Sequence, residues 1–200
     1  MKITSQDNFW KGEFGDKYTD RSLFSDRTLT IGKDLLSNKI KIKSCIELGA
    51  NVGLNLDALK KIYNASTFGV EINSKAFAIL KEKHRAKNSS IINFNTKEKF
   101  ELAFVCGVLI HQNPKNLNKI YKLLYQLSSK YIYISEYFNP TPIKLNYHGH
   151  SNKLYKRDFA KDFWNLHPKL KLVNYGFHWE QDPFLKGSEA DDGTWFLFKK

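Results

Sequence analysis

Cysteine, methionine and arginine are scarce in this 200-residue chain, and long apolar runs are missing. The two cysteines, Cys45 and Cys106, sit inside apolar strand-like stretches, which excludes a disulfide framework and a cysteine-rich metal site and leaves small buried thiols. No apolar run approaches the roughly 18 residues of a membrane span, and the opening residues 1–7 hold no signal-peptide core. A soluble, cytoplasmic protein without membrane contact is therefore expected. The net charge of +12 invites a nucleic-acid partner, because basic surfaces release counterions from phosphate backbones. However, only Arg21, Arg27, Arg85 and Arg157 are arginines, and arginine makes most bidentate contacts to bases and phosphates. The dispersed lysines read as solvated surface, so a small-molecule partner is expected instead.

Linkers, repeats and low-complexity blocks are also absent, which implies one domain over residues 1–200. Residues 1–40 carry aromatics and charges ahead of the first strand and form a helical lid segment, with the core in 41–200. In that core, strand and helix signals alternate. Strands are expected over 44–48, 67–72, 90–94, 102–106, 131–136, about 170–179 and 194–199. Helices are expected over 53–63, 74–87 and about 156–165, with the clearest one following Asn113-Pro114. There Asn113 caps, Pro114 needs no N–H, and Leu117, Ile120, Tyr121, Leu124 and Leu127 form one apolar stripe. The fold class is α/β: a Rossmann-like, seven-stranded, mostly parallel sheet with helices on both faces. Only a loop around 181–192 separates the last two strands, so the final strand enters antiparallel. Ligands in such sheets sit at the carboxyl ends of the strands, at the topological switch point.

One turn there carries chemistry. Glu47-Leu48-Gly49-Ala50-Asn51-Val52-Gly53 joins a strand to a helix. It lacks the middle glycine of the G-x-G-x-x-G turn that lets backbone meet a pyrophosphate, and Glu47 repels phosphate while suiting an ammonium group. S-adenosylmethionine, a cofactor without phosphate, matches both features. Glu71 ends the next strand about twenty residues on, where nucleoside-binding units place the acid that accepts ribose hydroxyls. Ile72 would cover an adenine face, and Asn95, after the third strand, would meet the adenine amino group. Gly107 gives room beside the methionine part, and His111 leaves the fourth strand toward the methyl group. Tyr18 and Arg21 are candidates for the cofactor's carboxylate.

The long stretch after the fifth strand, 136–150, exceeds a mere connector and is expected to carry function. It supplies Glu136, Tyr137, Tyr147, His148 and His150, and Arg157 follows as a cation for an acidic substrate. His111, His148 and His150 are the candidate catalytic bases, and Glu136, Tyr137, Tyr147 and Arg157 the candidate substrate contacts. His148-Gly149-His150 lacks a third ligand nearby, and histidines two apart on an extended chain diverge, so no metal is expected.

Several strings resemble those of the pseudaminic acid biosynthesis-associated methylases: residues 9–21 around Trp10-Lys11-Gly12, Gly107-Val108-Leu109-Ile110-His111, Glu136-Tyr137-Phe138-Asn139-Pro140, Tyr147-His148-Gly149-His150, Lys156-Arg157-Asp158-Phe159, and Asp191-Asp192-Gly193-Thr194-Trp195-Phe196. The resemblance implies a genomic association with sialic-acid-like sugar pathways and does not name the methyl acceptor. Together, these readings predict an S-adenosylmethionine-dependent methyltransferase that O- or N-methylates a small polar metabolite such as a nonulosonic or nucleotide-activated sugar. The alternatives are a nucleic-acid methyltransferase and a cofactor-binding module without turnover.

Overall fold

The computed structural model describes residues 4–185 and 192–200; Asp191 of the closing string and residues 1–3 of the lid segment lie outside them. Three helices precede the sheet: α1 (Ser5–Lys11), α2 (Glu13–Arg21) and α3 (Ile31–Ser37). The core follows as β1 (Ser44–Leu48), α4 (Leu54–Tyr63), β2 (Ser66–Glu71), α5 (Ser74–Lys83), β3 (Arg85–Asn88), β4 (Phe100–Cys106), α6 (Leu117–Leu127), β5 (Ser128–Glu136), β6 (Ile143–Tyr147), β7 (His150–Lys156), α7 (Phe159–Leu166), β8 (Lys171–His178) and β9 (Gly193–Lys199).

Seven strands form one sheet in the order β3-β2-β1-β4-β5-β9-β8. The first five are parallel, and β9 runs antiparallel between β5 and β8, as expected of the final strand. Chain order reverses between β1 and β4, which makes their carboxyl ends the switch point. The stripe Leu117, Ile120, Tyr121, Leu124 and Leu127 of α6 is buried and packs with Phe159 and Phe163 of α7 on one face of the sheet. Leu35 of α3 and Leu56 and Leu59 of α4 cover the other. Among the described residues no helix is long and apolar enough to cross a membrane.

Two expectations need correcting. The third strand is not 90–94 but Arg85–Asn88, and Ile91–Asn93 forms a 3-10 turn. Helix α5 stops at Lys83 because His84 turns inward, its ring within 2.8 Å of Thr67 Oγ1 and 3.1 Å of Asp57 Oδ1. The chain that follows pairs with β2 at the exposed sheet edge, where polar side chains on both faces leave no apolar alternation to read. The second correction concerns 136–150, which is mostly not loop: Ile143–Tyr147 pairs antiparallel with His150–Lys156 as a separate two-stranded ribbon. Its turn residues His148 (φ 47°) and Gly149 (φ 82°) both take positive φ, the signature of a two-residue primed turn. Helix α7 consequently begins only at Phe159, capped by Asp158, whose side chain accepts from Lys161 N at 2.8 Å.

Candidate functional site

The turn after β1 is held open by its own backbone. Gly49 N and Ala50 N donate to Val70 O at 2.8 and 3.0 Å. Gly49 sits at φ 79°, and a Cβ there would come within 2.6 Å of Val108, so a side chain is excluded on conformational and steric grounds. Glu47, at the end of β1, is buried; Asn55 Nδ2 donates to its Oε1 at 2.6 Å, while Oε2 is buried without a hydrogen-bond partner. Burial pushes its carboxyl up to about 8, opposed by the Asn55 bond and the positive charge of Arg27. Glu71, ending β2, accepts from Asn51 N at 2.8 Å and Asn73 N at 2.7 Å. Burial raises its pKa despite those bonds. The two carboxylates thus flank one turn, each with oxygen lone pairs still available.

At the end of β4, Gly107 adopts φ 63° with nothing within 4 Å of the place a Cβ would take, so this backbone faces open space. The turn beyond it is fastened by Glu136. Its Oε1 accepts from Val108 N and Leu109 N at 2.9 Å each, and its Oε2 from Ile110 N at 3.2 Å. Burial pushes this carboxyl up to about 7, against the pull of the three N–H groups. His111 closes the turn. A carbonyl can only accept, so His111 Nδ1–H donates to Lys153 O at 2.8 Å and Nε2 keeps the lone pair. The ring lies 4.7 Å from both Trp10 and Tyr147, and burial holds the imidazole down at about 4.

Helices α1 and α2 roof this edge of the sheet. Thr4 and Asp7 form a capping box at the start of α1, and the other Asp7 oxygen accepts from Ser90 Oγ at 2.6 Å. Asn73 Nδ2 donates to Asp16 Oδ1 at 2.8 Å and to Trp10 O at 3.0 Å. Gln6 Nε2 reaches Asn152 O of the ribbon at 3.0 Å. Under this roof lies a cavity of about 240 Å³.

Of the sequence-predicted cofactor residues, Tyr18, Glu47, Gly49, Asn51, Glu71, Ile72 and Gly107 line the cavity, as do His111, Glu136 and Tyr137. The others lie outside it, each for a visible reason. Gly53 caps α4, and a Cβ there would meet His84 and Leu80 at 2.8 Å, so it serves helix packing. Arg21 is exposed at the end of α2, its guanidinium 5.8 Å from the centre of the Tyr18 ring. Asn95 is exposed because the third strand ends seven residues earlier, at Asn88. Tyr147 stands behind His111, against Trp10 and Phe14. His148 is spent on the ribbon's turn, and exposed His150 packs on Phe9 at 5.0 Å. Arg157 Nε lies 2.6 Å from Asp162 Oδ2, an ion pair off the hydrogen-bond direction and away from the cavity.

The cavity also gathers residues that the sequence did not single out. Arg27 lines it, as do Ser90 and Ile91 in the place expected of Asn95. Tyr133 and His178 line its far wall and meet at Asp34, to whose Oδ2 the Tyr133 hydroxyl donates at 2.6 Å. Nothing in a linear reading joins positions on α3, β5 and β8; only Arg27 had a sequence signal, as one of four arginines.

No family model matches the chain, and no curated protein matches it. Solved structures do. A 1,6-didemethyltoxoflavin-N1-methyltransferase from Burkholderia thailandensis, solved with 1,6-didemethyltoxoflavin and S-adenosylhomocysteine, is similar over 100% of this chain and 92% of its own, at 13% identity and a TM-score of 0.73. Magnesium protoporphyrin IX methyltransferase from Synechocystis PCC 6803, solved with S-adenosylmethionine, is similar over 100% of this chain and 99% of its own, at 11% identity and a TM-score of 0.69. A methyltransferase from Clostridium acetobutylicum ATCC 824 is similar over 94% and 97%, at 12% identity and a TM-score of 0.65. At these identities the likeness establishes the fold, which is the Rossmann-like one of S-adenosylmethionine-dependent methyltransferases.

Proposed function

We propose that this chain is an S-adenosylmethionine-dependent methyltransferase acting on a small polar metabolite. The observation that carries the reading is the pair of buried carboxylates around the Gly49 turn, one of which, Glu47, keeps an oxygen buried and unpartnered on the cavity wall. A buried carboxylate without a partner costs several kcal/mol and is stabilised by a cation. The α-ammonium group of the cofactor is such a cation, and Arg27, whose charge already acts on Glu47, offers the opposite charge for the adjacent carboxylate. Glu71 would take the ribose hydroxyls, Ile72 and Ile91 the adenine faces, and Tyr18 the roof. When bound, the cofactor supplies an electrophilic methyl group on a sulfonium. The protein's part is to hold an acceptor in line with that group and exclude water, which a cavity roofed by α1 and α2 suits.

That a similar structure was solved with the small molecule 1,6-didemethyltoxoflavin supports a small acceptor. The resemblance of the residues 9–21 and 107–111 strings to the pseudaminic acid biosynthesis-associated methylases supports a nonulosonic or nucleotide-activated sugar among such acceptors. Titration calorimetry with S-adenosylmethionine and S-adenosylhomocysteine tests the cofactor directly. Saturable binding of both is expected, and binding of neither removes the basis of the proposal.

A further inference from the structure

The sheet order divides the cavity. At the β2 and β3 ends stand Ile72, Ser90 and Ile91; at the β1 and β4 ends, Glu47, Gly49 and Gly107. If methyl transfer is the activity, a donor held by Glu71 and Glu47 fills these two stretches. The acceptor is left the third, along β5, β9 and β8, walled by Tyr133, Ser135, Gly193 and His178 and closed by Thr30 and Ile31.

Three polar residues converge on that wall, all buried: Asp34 is 6% exposed, Tyr133 1% and His178 9%. The Tyr133 hydroxyl donates to Asp34 Oδ2 at 2.6 Å. His178 Nε2 lies 3.0 Å from the same oxygen, yet off the direction of a hydrogen bond, so it is buried beside a carboxylate without a directed partner. The Tyr133–Asp34 bond alone explains how α3 is pinned to the sheet. It does not explain the imidazole. His178 is the last residue of β8, paired with Gly193, whose missing side chain leaves the ring facing the cavity. No protein partner for its Nδ1 occurs among the described residues.

We propose that His178 is the base that takes the proton from a hydroxyl of the methyl acceptor, with Asp34, whose Oδ2 lies 3.0 Å from Nε2, as the positioning residue whose negative charge favours the proton on Nε2 and leaves the Nδ1 lone pair for the substrate. As the acceptor oxygen forms its bond to the methyl carbon, the carbon–sulfur bond breaks with its electron pair going to sulfur. The hydroxyl proton moves to Nδ1, so the positive charge passes from sulfonium to imidazolium and then to water. The substrate class is therefore an alcohol, because a neutral amine presents its lone pair without a base. His111, the nearer candidate in sequence terms, is enclosed between Trp10 and Tyr147 with Nδ1 committed to Lys153 O.

The test uses the full chain with methyl-tritiated S-adenosylmethionine and a polar-metabolite extract of the cells that make it. His178→Ala and His178→Asn are expected to lose about 10²–10⁴-fold in transfer, with affinity for S-adenosylhomocysteine unchanged by calorimetry and partial recovery on adding imidazole to the alanine variant. Asp34→Asn should lower kcat more than KM. Long-range nitrogen–proton NMR should show His178 in the Nε2–H tautomer in the wild type, a reading independent of turnover. Transfer by both His178 variants within threefold of wild type, an Nδ1–H tautomer, or a methylamine or thioether product overturns the base while leaving methyl transfer standing. No transfer by the wild type from any fraction, although the cofactor binds, overturns the methyl-transfer reading itself and this inference with it.

Discussion

Asn55 Nδ2 holds one oxygen of Glu47 at 2.6 Å and leaves the other buried with no partner among the described residues. The two residues lie on opposite sides of the Gly49 turn, so the strand and the helix that frame the cavity are joined through a carboxylate that remains half-satisfied. In the free protein this arrangement is a cost, and in the complex it is a binding determinant.

The first prediction follows from that cost. Burial raises Glu47 from 4.5 to about 8 in the folded chain. A raised carboxylate favours folding fully below its unfolded pKa and loses that contribution as pH rises toward the folded value, because the unfolded state then releases its proton first. Glu47→Gln should flatten the decline in thermal stability between pH 5 and pH 8 and raise the melting temperature at pH 8, by roughly 2–4 °C per kcal/mol recovered. The same variant should weaken S-adenosylmethionine binding at least about tenfold, given about 1.5–3 kcal/mol for a charged hydrogen bond. Calorimetric scans with and without cofactor separate the two effects, and a variant both less stable and unimpaired in binding contradicts the assignment.

Glu71→Ala tests the second carboxylate. Its oxygens order the turn through Asn51 N and Asn73 N, so affinity should fall about 10–100-fold for S-adenosylhomocysteine. Adenine should be affected less, because it lacks the ribose hydroxyls. Equal losses for both ligands would assign Glu71 to loop structure alone.

How far these features were legible in the chain depends on whether local chemistry or tertiary placement decides them. The Glu47–Gly53 turn is local: glycine spacing and a strand-end acid specify it, and Glu71 follows at the distance a β-α-β unit imposes. The apolar stripe from Leu117 to Leu127 is equally plain. Strand β3 is not legible because an edge strand of Arg85, Ala86, Lys87 and Asn88 leaves all but Ala86 exposed and carries no apolar period. His148 looked chemical and is a turn residue at φ 47°, where the alternation of Ile143–Tyr147 and the following glycine were the signals to weigh. Asp34, Tyr133 and His178 were invisible, since each alone is an ordinary core or edge residue and only the sheet brings them together.

Glu136, a candidate substrate contact, lines the cavity and also accepts from three backbone N–H groups. The third prediction separates these roles. Glu136→Ala leaves the amides of Val108, Leu109 and Ile110 without their acceptor, at about 1–3 kcal/mol for each group that water does not reach. It should destabilise the fold and weaken cofactor binding together. Glu136→Gln keeps an oxygen that can accept from Val108 N and Leu109 N and loses only the acceptor of Ile110 N, so at pH 5.5 it should destabilise the fold clearly less than the alanine variant. Denaturant unfolding of both variants measures this; an unchanged alanine variant with lost turnover would return Glu136 to the substrate.

Burial holds His111 at about 4, below its ordinary 6.5. A depressed histidine contributes stability above the unfolded pKa that is lost as pH falls through the folded one. The ring should therefore stay neutral down to about pH 5, in the Nδ1–H tautomer its bond to Lys153 O requires. Nitrogen-detected NMR of the imidazoles from pH 7.5 to 5 checks both points. Protonation near 6.5 would mean that the ring is reached by water.

The lid supplies the last prediction. Asp7 serves twice, closing the capping box of α1 with Thr4 through one oxygen and accepting from Ser90 Oγ through the other. Losing the first leaves the Thr4 N–H at the start of α1 without its acceptor, and losing the second unties the roof from the start of the 3-10 turn at Ile91. Because the remaining lid bonds from Gln6, Asn73 and Lys153 are untouched, Asp7→Ala should loosen α1 without unfolding the core. Tryptic cleavage after Lys11 and Lys17 should quicken several-fold in the variant. Saturating S-adenosylhomocysteine should slow it in both proteins, since a ligand held under the lid favours the closed state in proportion to its occupancy. Protection in neither protein, with binding confirmed by calorimetry, would mean that the ligand does not engage α1 and that the roof is only part of the scaffold.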